Sequence, residues 1–246
     1  MNEHKMKIEK KRKIIALSVI LVVLLAVAIT IIVYEVKGEF YMNYKLSKII
    51  IISTAEGREK QEESDKKWNL SVDQDNDIYI YLDKNDDSDK LIESVTIENF
   101  EVTKSPKIGN IEYYMPRSTE GTTFKNLDEF KVNGSLTYKG AKASNEKNLE
   151  IGSEGGKILV RIANVGVAEY VSDETNEIKH DGTLLTLTQT NMEDIKFSVQ
   201  FDLIMKVNGI SYKGKVKLDL PVGSINEKGT ETHEITDLDY VIFKRI

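Results

Sequence analysis

The stretch Ile195-Lys196-Phe197-Ser198-Val199-Gln200-Phe201-Asp202-Leu203-Ile204-Met205-Lys206-Val207-Asn208-Gly209-Ile210-Ser211-Tyr212-Lys213-Gly214-Lys215-Val216-Lys217-Leu218-Asp219-Leu220 holds the clearest structural signal in the chain. From Ile195 to Val207 every second residue is apolar, while Lys196, Ser198, Gln200, Asp202 and Lys206 point the other way. Successive side chains of an extended strand alternate between faces, so this period turns one face toward a core. Asn208-Gly209 supplies a two-residue turn with positive φ. Ile210, Tyr212, Val216, Leu218 and Leu220 then continue the alternation until Pro221, which cannot donate to a strand ladder. The segment reads as a long hairpin of fixed register.

Working outward, the chain after Gly38 consists of short β-branched and aromatic runs between polar turns, without a long helical period. Ile49 to Ile52 suits a strand covered on both faces. Trp68 to Val72 and Ile78 to Leu82 read as hairpin arms around an acidic turn, Asp73 to Asp77. Further strands are expected at Leu91 to Val102, Ile111 to Met115, Phe130 to Tyr138, Lys157 to Asn164, Leu184 to Thr188 and Val241 to Lys244. Thr54 to Lys67 is charged and lacks an apolar stripe, so it reads as an exposed loop or short helix. About ten strands at this spacing predict an all-β fold, a two-layer β-sandwich of the immunoglobulin-like or jelly-roll kind. Val132-Asn133-Gly134 with Tyr138-Lys139-Gly140 loosely echoes Val207-Asn208-Gly209 with Tyr212-Lys213-Gly214, which admits two small sandwiches in tandem. The spacing differs by one residue, which favours convergence of two hairpins.

The other strong signal lies near the N-terminus. Ile14 to Val33 is free of charge, and fifteen of its twenty residues are Ile, Leu or Val. A helix of about twenty residues matches a hydrocarbon core of about 30 Å. Six basic residues precede the run (Lys5, Lys7, Lys10, Lys11, Arg12 and Lys13), against Lys37, Lys45 and Lys48 after it. The excess of cations before the span predicts a cytoplasmic N-terminus and a domain outside. Tyr34, Phe40, Tyr41 and Tyr44 would then stand near the outer headgroups. The expected organisation is a cytoplasmic basic tail at 1–13, a transmembrane helix at 14–36, a juxtamembrane linker at 37–45 and an extracytoplasmic domain at 46–246. The small residues of Ala26-Val27-Ala28 offer a cleaved signal peptide as the competing reading. Cleavage there would leave Ile29 to Val33 as a bare apolar terminus, which favours an uncleaved anchor.

Of the net charge of −6 over 246 residues, residues 1–13 contribute +4 and the remainder −10. An acidic domain lacks the basic footprint that nucleic acid requires. Cysteine is absent, which excludes disulfides, thiolate metal sites and a catalytic thiol. His180 and His233 sit in polar, turn-rich segments without a second histidine at metal spacing.

Two groups of residues offer candidate chemistry. Asp73, Asp75 and Asp77 alternate as the first ligands of a calcium loop do, although Ile78 and Lys84 stand where an EF-hand needs Gly and Glu. Solvated turn residues are the competing reading. Asp83-Lys84-Asn85-Asp86-Asp87 superficially looks like a cadherin linker, without partner motifs elsewhere. Tyr79 and Tyr81 share a strand face and Tyr113-Tyr114 follow, so these four could form a stacking platform for a sugar ring, against core packing. Trp68 is expected in the core. Gly152-Ser153-Glu154-Gly155 lacks the first glycine of a nucleophile elbow and reads as a loop.

Ile178-Lys179-His180-Asp181-Gly182-Thr183-Leu184-Leu185, Leu218-Asp219-Leu220-Pro221-Val222-Gly223 and the opening Leu46 to Gly57 resemble uncharacterised single-pass membrane proteins of Gram-positive bacteria with an extracytoplasmic β-rich domain. That resemblance implies architecture and location, and no site residues. The expected function is a non-enzymatic, membrane-anchored interaction domain for another envelope protein. The alternatives are a cell-wall glycan-binding module and a carboxylate-based wall hydrolase, the latter needing two acids about 5 to 9.5 Å apart.

Overall fold

The computed structural model describes residues 2–37, 43–60, 66–85, 89–116, 124–126, 135–140 and 149–246. The chain begins with α1 (Asn2–Lys37). Within it, the 23 residues Lys11–Val33 have a mean hydropathy of 3.2 and none is buried against the rest of the protein. The helix is long and apolar enough to cross a membrane, a property that a span shares with a signal sequence. Thr30 donates its hydroxyl back to the Ala26 carbonyl at 2.8 Å, which removes the cost of a polar group on this surface.

Twelve strands follow among the described residues: β1 (Tyr44–Glu59), β2 (Trp68–Lys84), β3 (Ile92–Lys104), β4 (Asn110–Pro116), β5 (Phe124–Asn126), β6 (Ser135–Gly140), β7 (Glu150–Ile151), β8 (Gly155–Ser172), β9 (Phe197–Val207), β10 (Ile210–Leu220), β11 (Thr230–Ile235) and β12 (Lys244–Arg245). Short helices α2 (Leu184–Leu187) and α3 (Met192–Ile195) come between β8 and β9, and α4 (Ile225–Lys228) between β10 and β11. The strands form two six-stranded sheets, ordered β11-β1-β2-β8-β4-β5 and β12-β10-β9-β3-β6-β7, packed as a sandwich.

The β9–β10 hairpin closes as its alternation requires. Val207 pairs with Ile210, and Asn208 and Gly209 take φ of 45° and 79°. Its inner face, with Phe197, Phe201, Leu203, Met205, Val216 and Leu218, packs on Ile49, Ile51, Ile78, Ile80, Val160 and Ile162 of the first sheet. Burying each such side chain contributes about 1.5–3 kcal/mol relative to exposure. Tyr138 of β6 ties the sheets together, since its hydroxyl donates to the Leu159 carbonyl and accepts from the Leu159 amide at 3.2 Å.

At the end remote from Tyr44 a smaller core of Ala55, Val72, Val167, Leu184, Leu185, Ile195 and Ile225 is roofed by the three short helices. A buried polar belt separates the two cores. Ser53 donates to Asn76 Oδ1 at 2.6 Å, Gln74 Nε2 donates to the same oxygen at 2.9 Å, and Asn76 Nδ2 reaches the Ile162 carbonyl at 2.9 Å. Ser53, Gln74 and Asn76 thus satisfy one another, as polar groups inside a core generally do, whereas the Oδ1 of the neighbouring Asn164 has no hydrogen-bond partner.

Several sequence expectations are corrected. Asp73 to Asp77 is no turn: β2 runs unbroken from Trp68 to Lys84, with a register shift between Val72 and Gln74. Thr54 to Glu59 is strand, because the partner row down to Leu70 continues past the isoleucines. Leu184 to Thr188 forms α2, whose leucines plug the smaller core. Of Val241 to Lys244 only Lys244 is strand, the first residue of the short β12. The outer residues Ile50 and Ile52 are only half-buried. Trp68 stands at the remote end of β2, where Nε1 donates to the Asn176 carbonyl at 3.2 Å and the ring meets His180 edge-on at 5.5 Å. Residues 130–134, including Val132-Asn133-Gly134, and residues 38–42 and 86–88 lie outside the described residues.

Candidate functional site

The outer face of the first sheet collects most of the residues singled out from the sequence. On β2 the odd-numbered residues point outward: Asp73, Asp75, Asp77, Tyr79 and Tyr81 follow one another along one strand face. Pairing with β1 sets Glu56 beside Asp73, Thr54 beside Asp75, Ile52 beside Asp77, Ile50 beside Tyr79 and Lys48 beside Tyr81. On the other side β8 brings Arg161 beside Asp77 and Leu159 beside Tyr79. β4 adds Glu112 and Tyr114 to the same face, with Tyr114 opposite Arg161.

The acidic half is a ladder of ion pairs. Arg161 holds Asp77 through two hydrogen bonds, Nε to Oδ1 at 2.6 Å and Nη2 to Oδ2 at 3.0 Å, and reaches Asp75 Oδ2 at 2.9 Å. Arg58 reaches Asp73 at 3.3 Å and Asp75 at 4.0 Å. Asp73 also accepts from the Gly166 amide at 2.8 Å. The bidentate fork is a geometry that lysine could not supply.

Asp75 is 1% exposed, and its Oδ1 has no hydrogen-bond partner. Burial pushes its carboxyl up to about 6, outweighing the opposite pull of Arg161 and Arg58. Burial also works against the Arg161 charge, but Asp77 and Asp75 more than offset it and hold the guanidinium above its ordinary value. Tyr114, desolvated and donating to Glu112 at 2.8 Å, is pushed up to about 12.

Guanidinium groups therefore stand where the calcium reading would put an ion. Among the described residues, no group of three or more His, Cys, Asp or Glu side chains is arranged to hold a metal. A cation at Asp73, Asp75 and Asp77 would have to displace both arginines.

Beyond the ladder the face turns aromatic and aliphatic. Tyr79, Tyr81, Ile50 and Ile52 are half-buried, and Leu159 is buried among them. The Lys48 ammonium lies 5.1 Å from the Tyr81 ring centre, and that of Lys157 lies 5.5 Å from Tyr79. Tyr113 does not join this platform: it pairs with Ile162 on the inner face and packs on Phe100 at 4.5 Å. Of the four tyrosines read as a group, the fold brings three to one surface.

The chain matches no family model, no curated protein and no solved structure. Its chemistry has to be read from the geometry alone. Two open cavities lie at opposite ends of the sandwich. One, of about 500 Å³, is lined by Tyr44, Leu46, Asp83, Leu238, Asp239 and Ile242, among others. The other, of about 680 Å³, includes Glu193, Lys196, Ser198, Asp219 and Pro221 in its lining. In the latter, Asp219 accepts from Ser198 at 2.5 Å, and the bond from Lys196 holds Glu193 below the usual carboxylate range. That is opposite to the raised value a glycosidase acid needs.

Arg58 and Arg161 were not selected from the sequence. The signal was there for Arg161, a lone charge inside the apolar run Ile158-Leu159-Val160-Arg161-Ile162-Ala163. A charge at such a position requires a partner.

Proposed function

We propose that this chain is a single-pass membrane protein with a cytoplasmic N-terminus, and that its sandwich, held outside, is a non-enzymatic docking domain for another protein of the envelope. The cationic residues before Lys11–Val33 support the orientation. The setting that the sequence resemblance implies is a Gram-positive cell. The docking surface is the outer face of the first sheet.

The observation that carries this reading is the juxtaposition of Ile50, Ile52, Tyr79 and Tyr81 with the charge ladder. Tyrosine, aliphatic and arginine side chains clustered on a rigid sheet are what protein interfaces use as anchors. At the ladder end five acids (Glu56, Asp73, Asp75, Asp77 and Glu112) stand with two arginines, while Lys48 and Lys157 flank the tyrosines, so the partner surface is apolar with a basic flank on the ladder side alone. The glycan reading is weaker on this geometry, because lysines lie over the Tyr79 and Tyr81 rings where a sugar would stack.

A photo-crosslinking residue at Tyr81, in intact cells, should yield one discrete protein adduct, absent from the same residue at Thr137 on the opposite sheet. Ile52→Asp should abolish it. Equal adducts from both faces, or an adduct indifferent to Ile52→Asp, would reject this surface. Because the chain has no cysteine, single cysteines at Asn2 and Thr137 test the orientation. A membrane-impermeant maleimide should label only the second in intact cells, and the reverse pattern would sink the topology.

A further inference from the structure

The sandwich is joined to α1 at one particular end. Between Lys37 and Asn43 lie six Cα steps, which at most about 3.6 Å each hold Asn43 within about 22 Å of the helix end. Tyr44 and the start of β1 therefore form the membrane-proximal end of the domain.

Hydrogen bonds identify what shares that end. The Tyr44 hydroxyl lies 2.8 Å from the Lys90 carbonyl and 3.0 Å from the Ser153 carbonyl, its single proton shared between the two acceptors. The neighbouring Leu91 amide donates to Asn208 Oδ1 at 3.1 Å, which places the β9–β10 turn there too. Just past that turn, Tyr212 and Lys213 pair with Arg245 and Lys244 of β12, and the Ile246 amide donates to the Ser211 carbonyl at 3.0 Å. α1 itself comes into contact with β12.

The segment 241–246 has a divided character. Val241 and Phe243 turn inward to the main core. Ile242 and Ile246 turn outward and are 59% and 62% exposed. Ile242 also lines the cavity that opens beside Tyr44 and Lys45. Lys244 and Arg245 are exposed between the two isoleucines, and no Asp or Glu lies within 241–246, whereas Asp83 and Asp239 line the adjoining cavity.

We infer that Ile242 and Ile246, with Lys244 and Arg245, form a second membrane contact that seats the sandwich on the outer surface of the bilayer its own helix crosses. Isoleucines enter between headgroups while the two cations lie against anionic ones, the arrangement by which peripheral segments bind lipid. Docking would fix the first sheet's outer face relative to the membrane, since one tether alone leaves the domain free to tumble. The inference rests on the membrane-span reading above, and the test separates the two.

The full chain is reconstituted in two sets of phosphatidylcholine and phosphatidylglycerol vesicles, brominated near the glycerol end to report position 242 and near the methyl end of the acyl chains to report the middle of the span. Trp68, the single native tryptophan, is an internal reference at the far end of β2, about 50 Å from Lys84 at about 3.3 Å per residue. The expected result is that Ile242→Trp adds emission of which roughly half is quenched by bromolipid, and that Lys244→Glu with Arg245→Glu relieves the quenching. An unquenched tryptophan at 242, beside a quenched Val23→Trp control, overturns the docking while leaving the anchor intact. If Val23→Trp is also unquenched, the span reading fails and the docking with it.

Discussion

On the outer face of the second sheet the buried charge is an anion whose cations stay in water; at the centre of the first sheet's outer face, Arg161 and its two carboxylates are withdrawn from water together. Asp202 of β9 is 6% exposed, and the side chains of its partners Lys213 and Lys215, at 3.5 and 3.8 Å, are 41% and 53% exposed. Asp202 also accepts from Asn99 at 3.0 Å. Arg161, by contrast, has a side chain 17% exposed over Asp75 and Asp77 at 2% and 18%. An exposed cation can leave its partner at little cost, because water replaces the contact. A cation buried with its partners cannot, because removing it strands charge in a low dielectric. The same alternation of β-strand side chains thus gives one face that tolerates change and one that does not.

The largest test is to remove the central charge of each face. Arg161→Leu should cost about 3–5 kcal/mol, since Asp75 and Asp77 lose their shared cation. Asp202→Asn should cost about 1 kcal/mol, because Lys213 and Lys215 already reach solvent. Urea denaturation of the two variants beside the native chain measures both. Equal losses would break the comparison.

A second test uses protons. Asp75 has a folded value of about 6 against an ordinary 3.8. The folded state therefore binds the proton more tightly than the unfolded chain, so this group opposes folding fully above about pH 6 and progressively less as pH falls toward 3.8. At 1.36 kcal/mol per pH unit the relief is on the order of 3 kcal/mol. Lowering pH from 7 to 4 should stabilise the native chain relative to Asp75→Asn by an amount of that order. Parallel stability–pH curves for the two proteins would show that water, and not burial, sets the Asp75 charge.

The sandwich was legible where a single physical rule acted alone. In β9 and β10 the alternation, the Asn208-Gly209 turn and the stop at Pro221 all agree, so strand, face and register follow from sequence. In β2 two rules collided. Asp73, Gln74, Asp75, Asn76 and Asp77 are turn-forming residues, and that preference masked the period of two that continues through them. What permits a strand there is supplied from elsewhere: Ser53 and the Ile162 carbonyl satisfy Asn76 on the inner side, and Arg161, 86 positions from Asp75, neutralises the outer side. α2 was misread for a related reason. Leu184 to Thr188 carries strand-like residues, but Asp181 fixes the turn that leads into the helix by accepting from the Thr183 amide at 2.9 Å and its hydroxyl at 2.6 Å. The tyrosine platform was half legible, since alternation places Tyr79 and Tyr81 together, whereas only the β4–β8 register separates Tyr113 from Tyr114.

The finest test compares two cations of similar exposure on the two faces. The Arg58 side chain is 44% exposed and lies 3.3 Å from Asp73, itself 4% exposed. Lys215 is 53% exposed and lies 3.8 Å from Asp202, at 8%. If exposure of the cation alone governed its contribution, Arg58→Ala and Lys215→Ala would be alike. They should differ, because Asp202 keeps Lys213 and Asn99 after the change, whereas Asp73 would keep the Gly166 amide without Arg58 to balance its charge. The expected losses are about 1–2 kcal/mol for Arg58→Ala and less than about 0.5 kcal/mol for Lys215→Ala. Thermal melts at low and at high salt measure both, and the Lys215 difference should shrink further with salt as a screened pair does. Equal, salt-sensitive losses would mean that the first face is as open to water as the second, and that its arginines are exchangeable surface charges instead of fixed parts of a docking surface.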